Sequence, residues 1–139
     1  MKKIALIFAL LAAASAAEAT TVYMGAWSKH LDNDHDYNEQ HDLLAVEHDR
    51  WIAGTLVNSY NDRTYLVGRG WDLAGDENWK FRLYAGASYG YRTCDGGTGG
   101  DKAKVCPALV PELSLTRYRV QPAVMLFGGA AAISVKVEF

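Results

Sequence analysis

The sequence predicts an all-β chain: an eight-stranded antiparallel up-and-down transmembrane β-barrel that follows a cleaved signal peptide. Three observations carry that prediction. Residues 79–92, WKFRLYAGASYGYR, alternate between two faces with a period of two over a length that excludes an amphipathic helix. Residues 130–139, AAAISVKVEF, alternate in the same way up to an aromatic last residue. Residues 1–19 have the parts of an export signal.

The export signal comes first. Lys2 and Lys3 form a positive start, Ile4 to Ala14 is an unbroken apolar run, and Ala17-Glu18-Ala19 has the small-x-small form of a signal peptidase site. The apolar run has 11 residues, short of the roughly 20 that a spanning helix needs. Cleavage before Thr20 is therefore expected rather than a retained anchor. Residues 20–139 then form one domain, with no internal repeat or linker to mark a second. The formal net charge is −2, and it becomes −3 once Lys2, Lys3 and Glu18 are removed. That balance argues against a nucleic-acid partner, which calls for a basic face. Cys94 and Cys106 are the only cysteines. In an exported chain they are expected to pair and to close a loop over residues 95–100; too few Cys or His ligands lie nearby for zinc.

The strands follow in order. Residues 21–30 (TVYMGAWSKH) are the first, and the acidic stretch 31–38 reads as a loop. Residues 40–49 and 51–60 are the next two, with a tight turn near Asp49-Arg50. Residues 63–72 are the fourth, and Ala74-Gly75-Asp76-Glu77-Asn78 supplies the following turn. In the fifth, Trp79, Phe81, Leu83, Ala85, Ala87, Tyr89 and Tyr91 share one face, with aromatics at its two ends and small aliphatics between. A strand crossing two membrane interfaces and a hydrocarbon middle has that distribution. Residues 107–116, 118–127 and 130–139 complete eight strands, the smallest common membrane barrel. The closing alternation would also suit a soluble β-sandwich; the signal segment and the terminal aromatic favour the outer membrane.

Topology places the chemistry. If the first strand leaves the periplasm, His30, His41 and Asn58-Ser59 all lie at the cell-surface rim. A serine hydroxyl becomes a nucleophile when a base removes its proton, and histidine suits that task near neutral pH. Ser59 with His30 or His41 meets that need, and Asp62 or Glu39 is available to orient the imidazole. The plainer reading of Ser59 is a turn residue in a hairpin tip. Asp32, Asp34 and Asp36 have calcium-loop spacing, but Tyr37 stands where a glycine is needed and no bidentate Glu follows, so a solvated loop is expected and no metal. Lys80, Arg82, Arg92 and Lys136 are expected to fill the lumen in ion pairs with Glu138 or Glu112, which leaves little room for a channel.

Several stretches, in order, resemble the outer-membrane lipid A palmitoyltransferase family. Ala26-Trp27-Ser28-Lys29-His30 is similar to that family's first-strand segment, where a Trp and the active-site His occur together. Asp36-Tyr37-Asn38-Glu39 resembles its Arg-Tyr-Asn-Glu, and Leu56-Val57-Asn58-Ser59-Tyr60 stands where it has an Asp-Ser pair flanked by aromatics. Val67-Gly68-Arg69-Gly70-Trp71-Asp72 falls on its Ala-Gly-Tyr-Gly-Trp-Glu, and Pro107 to Ser114 resembles its Pro-x-x-x-Pro segment. The resemblance implies catalytic His30 and Ser59, with Asn58 at the third position in place of an aspartate. It implies that Gly68 and Gly70 face an acyl pocket with Gly70 at its floor, and that Pro107 and Pro111 weaken the ladder to give lateral lipid access. The partners it implies are membrane lipids, a phospholipid acyl donor and a lipid A acceptor, handled by a monomer without a cofactor.

Besides Asn58 in place of the aspartate, two further departures shape the expectations. The family's leading amphipathic helix has no counterpart before the first strand, and Arg69 falls on the lipid-facing side if Gly68 and Gly70 face inward. A lipid A deacylase barrel would also use Ser and His, but no His-x-Ser pair occurs in the last two strands. The competing expectation is a non-catalytic small barrel that binds or masks surface components, with its lumen plugged by paired charges.

Overall fold

A computed structural model describes residues 19–31, 36–94 and 102–139. The expected signal peptide, the Asp32 and Asp34 spacing and the loop at 95–100 fall outside the described residues. The described chain forms β1 (Thr20–His30), β2 (Gln40–His48), β3 (Trp51–Val57), β4 (Arg63–Gly75), β5 (Trp79–Tyr91), β6 (Lys104–Leu115), β7 (Val120–Phe127) and β8 (Ala130–Glu138). Each strand pairs antiparallel with the next, and β8 returns to β1 to close the barrel. One end carries the chain termini and the short turns; the other, here the loop end, carries the β1–β2, β3–β4, β5–β6 and β7–β8 connections.

The strand ends have local causes. Asp49 and Arg50, at φ 47° and 65°, make the two-residue turn between β2 and β3, the left-handed pair that a tight hairpin requires. β4 runs on past Asp72 to Gly75, because the Asp76 carboxylate accepts the N–H groups of Asn78 and Trp79 and so moves the turn later. β3 stops at Val57, where Asn58 gathers the following loop around its side chain.

Two glycines reset which side chains face inward. Gly25 sits at φ +67° in a bulge that shifts the register between Met24 and Ala26. A strand turns successive side chains to opposite faces, so one extra residue reverses every side chain beyond it. Tyr23 and Ala26 are therefore both buried, and Ser28 and His30 turn toward the lumen where unbroken alternation would turn them out. Gly90, at φ +135°, marks a second shift between Tyr89 and Tyr91. That corrects the expectation of one uninterrupted face from Trp79 to Tyr91: Tyr91 swings inward and packs on Tyr60 and Phe127.

The outward face of the wall is apolar. Val67, Leu109, Val124 and Ile133 are exposed along it, with Trp27, Tyr65 and Tyr89 toward the loop end and Trp51, Trp71, Trp79 and Phe139 toward the other. The lumen divides in two. Its terminal half is filled by polar side chains: Lys136 Nζ lies 2.6 Å from Glu112 Oε1, Tyr23 donates to Glu112 at 3.0 Å, and Tyr84 donates to Glu47 at 2.6 Å. Arg82 pairs with Glu47 at 2.8 Å and with Asp72. The expected Lys136–Glu112 pair is present, while Arg82 takes partners that the sequence reading did not name. Lys80 lies 3.9 Å from Asp72, and Arg92 pairs with Asp62 at the loop end, outside the lumen. Glu138 is exposed.

Candidate functional site

Above that polar layer the lumen holds an apolar cavity of ≈ 110 Å³. Leu43, Ile52, Leu56, Leu66, Val110 and Met125 line it from five different strands, and the rings of Tyr23 and Tyr84 underlie it. Ser28, His41 and Ser59 contribute its polar groups toward the loop end. A second opening, a cleft of ≈ 470 Å³, adjoins it at the rim and is lined by His30, Tyr37, Ser59, Tyr60, Pro107 and Leu109 among others. Ser59 belongs to both.

The His30 Nε2 and Ser59 Oγ atoms are 2.9 Å apart. β1 delivers the histidine as its last residue, and the β3–β4 loop delivers the serine, two strands away. The Tyr37 ring stacks on His30 at 3.9 Å with an interplanar angle of 15°. Asn38 ties the same segment to the serine loop: its N–H donates to Ser59 O at 2.9 Å and its Nδ2 to Asn58 O at 3.1 Å. Of the two carboxylates considered for orienting a histidine, Glu39 pairs with Lys29 at 2.6 Å and Asp62 with Arg92 at 3.1 Å. The Lys29 hydrogen bond, followed by the charges of Lys29 and His30, holds the Glu39 carboxyl below its ordinary value.

Asn58 has a different part from the one expected. Its Nδ2 donates to Thr64 Oγ1 at 3.0 Å and Gly90 O at 3.3 Å, and its Oδ1 accepts from the N–H groups of Tyr60 at 2.8 Å and Asp62 at 3.1 Å. An amide side chain has two donors and two acceptor lone pairs. All four are engaged in holding the loop, so Asn58 fixes where Ser59 stands rather than serving as the third member behind His30. It is fully buried, as such a knot must be.

Gly68 lines the cavity as expected. Gly70 does not form the floor: a Cβ there would meet the Tyr84 ring at 2.6 Å, so the glycine makes room for the tyrosine that closes the pocket. Arg69 points outward beside Trp51, its guanidinium carbon 5.5 Å from the indole centroid. Trp51 opens β3, but Arg69 is the middle residue of β4 and pairs on its other side with Ala85, the middle of β5, so Val67 and Trp71 flank it on the outer face.

Pro107 and Pro111 pair with Ala87 and Leu83 of β5. On the other side, the β6–β7 ladder runs only over Glu112↔Met125, Leu113↔Val124 and Ser114↔Ala123. From Pro111 toward the loop end the two strands part, and the rim cleft opens there against Pro107, Leu109, Phe127 and Gly128. Cys94 and Cys106 form the expected disulfide at the edge of this cleft.

Four residues of the site were missed from sequence. Tyr37 and Asn38 lay inside the quoted Tyr-Asn-Glu segment, which was the one available signal for them. Tyr91 was assigned to the wrong face. Ser28 gave no signal beyond its place between Trp27 and His30. Among the described residues no cluster of three or more His, Cys, Asp or Glu is placed to hold a metal ion. The chain matches no protein-family profile and no curated protein sequence.

Proposed function

We propose that this protein is an integral bacterial outer-membrane enzyme that moves an acyl chain from a phospholipid to lipid A or a related surface lipid. The observation that carries the reading is the His30–Ser59 contact of 2.9 Å at the junction of an apolar cavity and a rim cleft. His30 takes the Ser59 proton as Oγ attacks the donor ester; the proton then passes to the departing lysophospholipid hydroxyl. An acceptor hydroxyl next gives its proton to His30, attacks the seryl ester and leaves with the chain, and Ser59 recovers its proton. The acyl chain rests in the cavity above Tyr84, and donor lipid enters from the side where β6 and β7 part beside Pro107. The exposed apolar wall with aromatics toward both ends suits a bilayer.

The test is mass spectrometry of lipid A from cells producing wild type, Ser59→Ala or His30→Ala. A mass gain of one fatty acyl group with wild type alone is the expected result. A second reading, a non-catalytic barrel that binds or masks surface components, draws on the charged plug in the terminal half of the lumen. Unchanged lipid A and phospholipid with a correctly inserted barrel would select it.

A further inference from the structure

The cavity wall contains a second serine–histidine pair. Ser28 Oγ lies 2.7 Å from His41 Nε2, and His41 Nδ1 lies 2.6 Å from the backbone carbonyl oxygen of Val57. A carbonyl oxygen can only accept, so Nδ1 carries a proton. In the neutral ring Nε2 then has its lone pair free, and Ser28 donates to it. The three atoms make a chain of hydroxyl, imidazole and orienting acceptor, with a peptide carbonyl where a carboxylate more often stands. They come from three adjacent strands, β1, β2 and the end of β3.

Position adds to the geometry. Ser28 is two residues before His30 on β1, on the same lumen face beyond the Gly25 bulge. Two residues of strand rise about 6–7 Å, so this pair lies one level deeper than His30–Ser59. Both of its side chains line the apolar cavity, beside Ala26, Leu43 and Leu56. A Ser–His contact kept only to join two strands has no need to face an open cavity.

We infer that Ser28 and His41 form a second nucleophilic dyad, an esterase site for carboxylic esters whose apolar acyl chain enters the cavity, with water as the acyl acceptor. In the first step Ser28 Oγ bonds to the acyl carbon, the ester C–O bond breaks, and His41 Nε2 carries the Ser28 proton to the leaving alkoxide. In the second, a water gives its proton to His41 and its oxygen to the acyl carbon, the seryl ester breaks, and Ser28 recovers the proton as the fatty acid leaves. The site stands independently of transfer through Ser59. Because a carbonyl stabilises an imidazolium less than a carboxylate does, turnover is slow and the acyl-enzyme is long-lived.

The full barrel, folded into vesicles of a dialkyl ether phospholipid that offers no ester, is treated with a decyl fluorophosphonate, and the adduct is mapped by peptide mass spectrometry. Heat-modifiable migration on a gel verifies folding of each variant. The expected result is an adduct on Ser28 that persists in Ser59→Ala, disappears in Ser28→Ala and falls at least tenfold in rate in His41→Gln, which keeps an N–H for the Val57 carbonyl. An adduct confined to Ser59 overturns the inference and leaves the acyl-transfer reading standing. Equal labelling of Ser28 with and without His41, or no adduct on Ser28 in a folded barrel, overturns it as well. Loss of lipid A acylation in Ser59→Ala with Ser28 still labelled separates the two sites.

Discussion

The two halves of the lumen are built on opposite principles. Toward the chain termini, Glu112 and Lys136 are 1% and 2% exposed and meet Tyr23, while Tyr84, Glu47 and Arg82 continue the network around the wall. Charges removed from water are tolerated only when paired and hydrogen-bonded, and a pair once built cannot lose one member cheaply. Toward the loop end the lining is mostly small or aliphatic, joined by the Tyr91 and Phe127 rings, and encloses open space; its polar side chains are Ser28, His41, Ser59 and Tyr91. The filled half fixes the shape of the barrel. The open half is free to hold a ligand, because nothing structural occupies it. A barrel of this size carries both only by stacking them along its axis, with Tyr84 as the boundary.

Substitutions that respect or cross that boundary test the division. The largest effect is expected from Glu112→Ala, which leaves the Lys136 ammonium buried beside Tyr23 without its carboxylate; a loss of about 3–5 kcal/mol should appear in urea unfolding of the vesicle-inserted barrel. A stability near that of wild type would mean that the plug is not what holds the barrel. Asn58→Ala should cost roughly 1–3 kcal/mol by orphaning the Tyr60 and Asp62 N–H groups and the Thr64 hydroxyl. If unfolding is unchanged while lipid acylation vanishes, Asn58 acts on His30 after all, and the division fails at its upper edge. Ala108→Leu intrudes on both cavity and cleft; stability should move by less than about 1 kcal/mol, since the new methyl groups enter open space. Lipid A analysis should nonetheless show the acyl product lost. Arg92→Ala removes an exposed pair with Asp62, and a change below about 1 kcal/mol is expected in the same unfolding assay.

The strands of the wall were legible as sequence, and so was the Lys136–Glu112 pair of the terminal half. Period-two alternation, turn residues and strand spacing locate all eight strands, with differences of a few residues at their ends. Where the reading missed, the cause was a count rather than a composition. Gly25 and Gly90 each insert a residue into the pattern, and a strand read by alternation alone assigns the wrong face to everything past the insertion, Tyr91 above all. The third position behind His30 was misjudged for another reason. Asn58 was read from a motif, but its role follows from four hydrogen bonds to groups distant in sequence, as far as Gly90. Lumen pairs across the barrel, such as Glu47 with Arg82, carry no local signature at all.

The bulge at Gly25 is a choice of phase. With Gly25 paired as an ordinary strand residue, β1 would still bury Tyr23, yet His30 would turn to the outer wall and Trp27 to the lumen. Not one letter of the sequence would differ between the two. Which of two neighbouring side chains the lumen receives is therefore written in the pairing of a single glycine, and two strands of identical composition can offer the lumen opposite chemistry.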